Sequence, residues 1–270
     1  MIEKSSLRVS VLMPVYNERA TVTHAVERVR AVPMNAEIIC VDDCSSDGTR
    51  SVLQSLLESG KIDQLVLHEK NRGKGAGIRS ALEKATGDVV VIQDADLEYD
   101  PEDLLKLLGP VNDGRADAVF GSRFKGDVSR VLYYWHSLGN WGLTTLSNML
   151  TNLNVSDMET CYKMVRTDLM KSLPLTSDRF GFEPELTARL AQSRARIYEV
   201  PISYSGRTYA EGKKIRWTDG VAAFWHIVKF NLFSQKAPVY RNSVGASRPS
   251  FPEHEAPVSS SRSAPRALAK

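Results

Sequence analysis

Short apolar runs alternate with stretches of helical periodicity through the first half of the chain. Residues 8–14 (RVSVLMP), 37–42 (EIICVD), 64–68, 88–93 and 118–121 read as strands, because runs this short and rich in Val, Ile and Leu suit a sheet interior. Residues 20–32, 49–59, 76–85 and 101–108 read as the helices between them. Such alternation predicts an α/β fold: a mainly parallel sheet with helices on both faces. The second half is less regular, with helices expected over 138–150, 183–191 and 218–233 and strands over 161–166 and 197–204. From residue 234 onward Pro, Ser, Ala and Arg prevail without periodicity. The expected division is therefore one folded domain over 1–233 and a disordered basic tail over 234–270.

Composition changes this picture little. A chain of 270 residues suffices for one large domain or two small ones. The formal charge is +3, but the tail holds six Lys/Arg and two Asp/Glu, hence +4, which leaves −1 for the rest. A body without basic excess argues against a nucleic-acid partner. Cys40, Cys44 and Cys161 form no Cys-x-x-Cys pair, which disfavours a disulfide scaffold or zinc site and points to a reducing, cytoplasmic setting. The start, MIEKSSLRVSV, lacks a separate apolar region with a cleavage site, and no apolar run approaches the ~18 residues of a bilayer span.

Candidate chemistry sits where the strands end. The run GDVVVIQDADLE closes in Asp94 and Asp96, which face the same way if the chain stays extended. Ligands of open α/β sheets bind at the carboxyl ends of strands. Two hard oxygen donors there suit Mg²⁺ or Mn²⁺, with water and diphosphate completing the shell; a solvated turn fits the spacing equally well. After the first strand, Tyr16 offers a stacking face and Glu18 an acceptor for a base or ribose, or Asn17 simply caps a helix. After the second, Asp42 or Asp43 can accept from a ribose or nucleobase. After the third, the Gly-rich basic loop from Asn71 to Gly77, with Lys74 at its centre, favours phosphate. It has neither Walker nor dinucleotide spacing.

Pro14-x-Tyr16-Asn17-Glu18, Val41-Asp42-Asp43 through Gly48-Thr49, Asn71-x-Gly73-Lys74-Gly75, Asp94-Ala95-Asp96 and Gly121-Ser122-Arg123 follow the order seen in family 2 glycosyltransferases. The chain resembles most the dolichol-phosphate-mannose-synthase and polyprenyl-phosphate glycosyltransferase branch, over about residues 8 to 233. The resemblance implies a GT-A (Rossmann-like) fold, a nucleotide-sugar donor, a divalent metal and a polyprenyl-phosphate acceptor. It implies that Pro14, Tyr16, Glu18 and Asp42 hold base and ribose, with Asp43, Lys74 and Ala95 in the donor-binding loops. Asp94 and Asp96 hold the metal, and Glu98, where the family often has Gln, is a third metal-competent oxygen. Arg123 faces the phosphates. Val155-Ser156-Asp157-Met158 resembles the acidic turn near the reacting centre, and Phe182-Glu183-Pro184-Glu185 a helix start beneath it. Arg207, Tyr209, Glu211, Lys213 and Lys214 resemble the basic loop that closes over donor and acceptor.

The implied reaction is a metal-dependent, inverting transfer of a hexose from a GDP-mannose- or UDP-glucose-type donor to a polyprenyl or dolichyl phosphate. A phosphate monoester, largely dianionic at pH 7, needs no base. A hydroxyl acceptor is the alternative, with Asp157 taking the proton; a non-catalytic nucleotide-sugar-binding protein is another. Related synthases carry a Lys/Arg cluster after the Ser-Arg motif, where this chain has the aromatic run from Val131 to His136. That run, and the apolar helix expected over 218–233, suit a membrane surface. The expectation is a cytoplasmic, peripherally membrane-associated enzyme, held directly or by a membrane-protein partner.

Overall fold

Four apolar strands, none reaching beyond seven residues, build the middle of the molecule. The computed structural model describes residues 7–125, 130, 133–207 and 217–241. Its elements in chain order are β1 (Val9–Val15), α1 (Val22–Ala31), β2 (Ala36–Asp42), α2 (Thr49–Glu58), β3 (Gln64–Leu67), α3 (Lys74–Lys84) and β4 (Val89–Ile92). A 3₁₀ turn (Pro101–Asp103) leads into α4 (Leu104–Asn112), β5 (Ala118–Ser122), α5 (Tyr134–Thr151), β6 (Lys163–Arg166) and α6 (Thr167–Ser172). Then come α7 (Phe182–Gln192), β7 (Ile197–Pro201), α8 (Trp217–Val228) and a π-helical turn (Lys229–Phe233).

The strands form one sheet in the order β3-β2-β1-β4-β6-β5-β7. β4 is buried throughout, as its unbroken Val-Val-Val-Ile run requires, while the edge strands β3 and β7 are half-exposed. The chain moves outward from β1 to β2 and β3, then returns to place β4 on the other side of β1. Right-handed crossovers then put α1 and α2 on one face and α3, which packs on β1 and β2, on the other. The reversal opens a crevice beyond the carboxyl ends of β1 and β4.

β6 pairs antiparallel with both β4 and β5, and among the described strands it alone runs against the rest. Periodicity foretells an apolar strand but carries no direction, so this inversion was not expected. Several helices also differ from expectation. α3 begins at Lys74, two residues before the expected 76, because Gly73 (φ 95°) supplies the left-handed turn that lets the helix open early. α5 begins at Tyr134 rather than the expected 138 and takes in the second half of the aromatic run. α6 was not foreseen; it is too short to show a periodic face. Beyond residue 234, where disorder was expected, the chain stays packed: Tyr240 N–H donates to the Ser193 carbonyl and its hydroxyl to the Asp168 carboxylate (2.9 Å). The folded body therefore reaches Arg241, and the remainder of the expected tail lies outside the described residues.

Candidate active site

The crevice beyond β1 and β4 gathers the polar strand ends. β4 stops at Ile92, and the chain turns through Ala95 and Asp96 rather than continuing extended. Asp94 and Asp96 are therefore brought to one mouth by a turn, with Leu97 at φ 64° closing it, and not by strand alternation. Ala95 is buried, which leaves the two carboxylates about one-fifth exposed. Asp94 Oδ2 pairs with Lys74 Nζ at 2.9 Å, and the same ammonium meets Glu183 Oε1 at 2.9 Å. Asp96 Oδ2 accepts from Arg207 Nη2 at 3.1 Å.

Burial, then the nearby charges of Asp94 and Glu98, push the Asp96 carboxyl up to about 7, with Arg207 acting the other way. A mouth so crowded with negative charge, and made of hard oxygens, fits a divalent cation. Glu98 does not join it. Its Oε2 accepts from the Tyr204 hydroxyl (2.8 Å), and its Oε1 from the Arg207 N–H (2.9 Å) and Nε (3.2 Å). Among the described residues no three Asp, Glu, His or Cys side chains gather as one metal cluster. Of the expected set of Asp94, Asp96 and Glu98, the two aspartates share one mouth, while Glu98 ties the 204–207 segment across the site.

Arg123 follows β5 and forms a bidentate pair with Asp157: Nε to Oδ2 and Nη2 to Oδ1, both 2.7 Å. Its own N–H also donates to Asp157 Oδ2 (3.1 Å), and Asn140 of α5 touches both partners. Asp157 is fully buried. Its backbone N–H and that of Ser156 donate to Glu199 Oε1 of β7, so the acidic turn is hung from the sheet. The Arg123 guanidinium lies over the Tyr204 ring at 5.2 Å.

After β1 Tyr16 is exposed, Pro14 is half-buried, and Glu18 lies 3.9 Å from Arg207 while accepting from the Thr21 hydroxyl (2.8 Å). Asp42 and Asp43, expected as ligand acceptors, are buried and engaged within the protein. Asp42 takes Arg50 Nε (2.7 Å) and the Ser45 N–H. Asp43 takes His68 Nδ1 (2.7 Å) and the N–H groups of Arg72 and Gly73. Asp43 thereby shapes the Gly-rich loop. Lys74, expected on phosphate, bridges Asp94 and Glu183. Lys213, with Tyr209, Glu211 and Lys214, lies outside the described residues.

Glu183, Asn140 and Tyr204 are site residues that sequence reasoning did not assign. Glu185, in the same helix start, is fully buried, accepts from the N–H groups of Thr176 and Ser177 and faces Arg189. One helical step decides which glutamate looks into the crevice, and no local signal marks that step.

A profile of the family described as "Glycosyl transferase family 2" matches residues 10–173. The undecaprenyl-phosphate mannosyltransferase of Micrococcus luteus is 29% identical over 246 residues, covering 84% of this chain and 99% of that protein. The low-salt glycan biosynthesis hexosyltransferase Agl6 of Haloferax volcanii is 31% identical over 237 residues, 86% of this chain. This chain spans only 54% of Agl6, and 59% of the 26% identical dolichol-phosphate mannosyltransferase of Pyrococcus furiosus. Among solved structures, glucosyl-3-phosphoglycerate synthase from Mycobacterium tuberculosis, in complex with Mn²⁺, UDP and glucosyl-3-phosphoglycerate, superposes with a TM-score of 0.65 at 20% identity. The match covers 85% of this chain and 82% of that one. The profile runs from β1 through α6 and takes in the segments that carry Asp94, Asp96, Arg123 and Asp157; the chain belongs to glycosyl transferase family 2 and has its GT-A fold.

Proposed function

We propose that this protein transfers a hexose, with inversion, from a nucleotide-sugar of the GDP-mannose or UDP-glucose type to a polyprenyl or dolichyl phosphate. The observation that carries this reading is the state of Asp157. Fully buried, with both oxygens held by Arg123, it has no free lone pair aimed at a nucleophile. A hydroxyl acceptor would need a base that this geometry does not offer, whereas a phosphate monoester brings its own charge. The relatives named as polyprenyl-phosphate sugar transferases support the same acceptor class.

In this reading Asp94 and Asp96 hold Mg²⁺ or Mn²⁺, which when bound neutralises charge on the departing nucleoside diphosphate. Tyr16 and Pro14 flank the base. Arg207 has to leave Asp96 and Glu98 for the phosphates, and Arg123, held rigid by Asp157 and Asn140, presents positive charge to the acceptor. The test offers labelled GDP-mannose or UDP-glucose, Mn²⁺ and polyprenyl phosphate. Label should enter the organic phase and fall by at least about a hundredfold in Asp96→Ala. Metal-dependent donor binding without organic-phase label would sink the phosphate-acceptor reading.

The acceptor class implies a membrane surface, and α5 supports one. None of its 18 residues is Asp, Glu, Lys or Arg, yet only Thr144 and Ser147 are buried. Trp135, Trp141 and Met149 are 74%, 66% and 75% exposed, and Phe224 and Trp225 of the adjoining α8 are also exposed. A charge-free solvent face rich in Trp is the pattern of a bilayer interface. Among the described residues no helix is long and apolar enough to cross a membrane. Docking through α5 would bring Asn140, and with it Arg123, toward the headgroups.

A further inference from the structure

The turn from Asp157 to Cys161 runs across the whole site. At one end Asp157 grips Arg123; at the other the Cys161 thiol lies beside the Ile92 carbonyl (3.8 Å), two residues before Asp94. Glu159 is the middle residue of that turn. Lys163, fully buried under the turn with its ammonium 4.9 Å from the Phe120 ring centroid, donates to the carbonyls of Met158 (2.8 Å) and Thr160 (2.5 Å). These are the residues immediately before and after Glu159, so this clamp fixes the direction in which the Glu159 side chain leaves the turn.

Glu159 is surrounded by charge from both halves of the site. Glu183, which reaches Asp94 through Lys74, and Asp157 oppose its ionisation; Lys163 and Arg123 favour it. Burial, and next Glu183, push its carboxyl up to about 7. Its Oε1 is nevertheless buried without a hydrogen-bond partner among the described residues. A buried oxygen left without a donor is destabilising, and such groups persist where a ligand supplies the missing donor. The position singles out that ligand. Between a metal-bound diphosphate at Asp94 and an acceptor at Arg123 lies the sugar in transit, and a sugar hydroxyl is a hydrogen-bond donor.

We infer that Glu159 accepts a hydrogen bond from a hydroxyl of the transferred hexose and is a specificity-determining residue for a neutral sugar. It rests on the donor half of the function proposed above and is independent of the acceptor. A hexuronate in the same place would bring its carboxylate against Glu159, Glu183 and Asp157, so like charge disfavours it.

The test measures donor affinity with Mn²⁺ and no acceptor, so it reads the donor site even if transfer to lipid phosphate fails. Dissociation constants are taken for UDP-glucose and GDP-mannose, for the monodeoxy analogues of whichever binds, and for the nucleoside diphosphate alone. In the wild type one deoxy position should weaken binding by about 10- to 100-fold, as loss of a hydrogen bond to a charged group does. In Glu159→Ala that penalty should fall to within about twofold, penalties at other positions should persist, and the nucleoside diphosphate should bind as before. Glu159→Gln, which keeps the shape and an uncharged acceptor, should retain a penalty of about threefold to tenfold and serves if the Ala variant does not fold. Unchanged penalties at every position in a folded variant, or equal weakening of the nucleoside diphosphate, would overturn the assignment.

Discussion

Replacing Arg123 by Ala would strand the Asp157 carboxylate, fully buried, without its counter-charge. Breaking a buried pair from one side costs about 3–5 kcal/mol, so Arg123→Ala should lower the urea midpoint by that equivalent as well as abolish transfer. Asp157→Asn should lower kcat/KM yet leave the shape of the pH–rate profile for a phosphate acceptor unchanged. Loss of an acid limb in that variant would instead mark Asp157 as the base. Lys74 makes a different prediction. Its ammonium, held protonated by Asp94 and Glu183 despite burial, competes for the carboxylate on which a metal would sit. Lys74→Met should tighten Mn²⁺ binding to the nucleotide-free protein by about tenfold, measured by titration calorimetry; weaker binding would show that Lys74 is needed to aim Asp94. At this scale the sequence was uneven. Asp94 and Asp96 could be picked out by their place after a strand, and Arg123 only through the family resemblance. The true partners of Asp43 and Lys74 could not, because a carboxylate or ammonium reads the same in sequence whether it meets a ligand or a neighbour.

Elements set how these residues are aimed. α3 opens directly from the Gly-rich loop, and a side chain at Gly75 would collide with the Ser177 carbonyl, while one at Gly73 would come to 2.5 Å of the Asp178 carbonyl. The loop and the 177–178 segment are thus pressed backbone to backbone, close beneath Lys74. Gly75→Ala should cost about 1–3 kcal/mol, read by thermal unfolding, and should weaken nucleotide-sugar binding more than a remote glycine such as Gly109, where a Cβ meets nothing. α5 has the opposite character: its charge-free face is largely exposed, as the proposed membrane contact requires. Changing Trp135 and Trp141 together to Glu should reduce co-flotation with anionic vesicles by about tenfold or more, without loss of donor binding. The helix itself was legible from periodicity. Its early start at Tyr134 and its bare face were not, because an aromatic run reads alike as core, loop or interface until its neighbours are known.

Across the whole molecule, the edge of the sheet away from the crevice is held by buried acids. Glu37 accepts from Ser10, Thr86 and Arg8, and Asp117 from Arg196, tying β1 to β2 and β5 to β7. Burial alone would raise both carboxyls, but these bonds and charges bring them below the ordinary range. A depressed folded value stabilises above the unfolded value and is lost as pH falls through the folded one. Stability should therefore drop on acidification below about pH 4, and Glu37→Gln should lose less over that interval; urea midpoints at neutral and acid pH would test it. The run of strands and helices, the α/β class and the gathering of chemistry after the strands were determined by the sequence alone. Burial on both faces leaves a periodic and compositional mark on each strand, and a parallel sheet brings every strand end to one edge. Only the tertiary structure decided the reversal of β6, the turn that joins Asp94 to Asp96, the diversion of Glu98 to Tyr204 and Arg207, and the isolation of Glu159. Each depends on contacts between segments far apart in the chain, and local pattern records which side chains are polar but not which of them will meet.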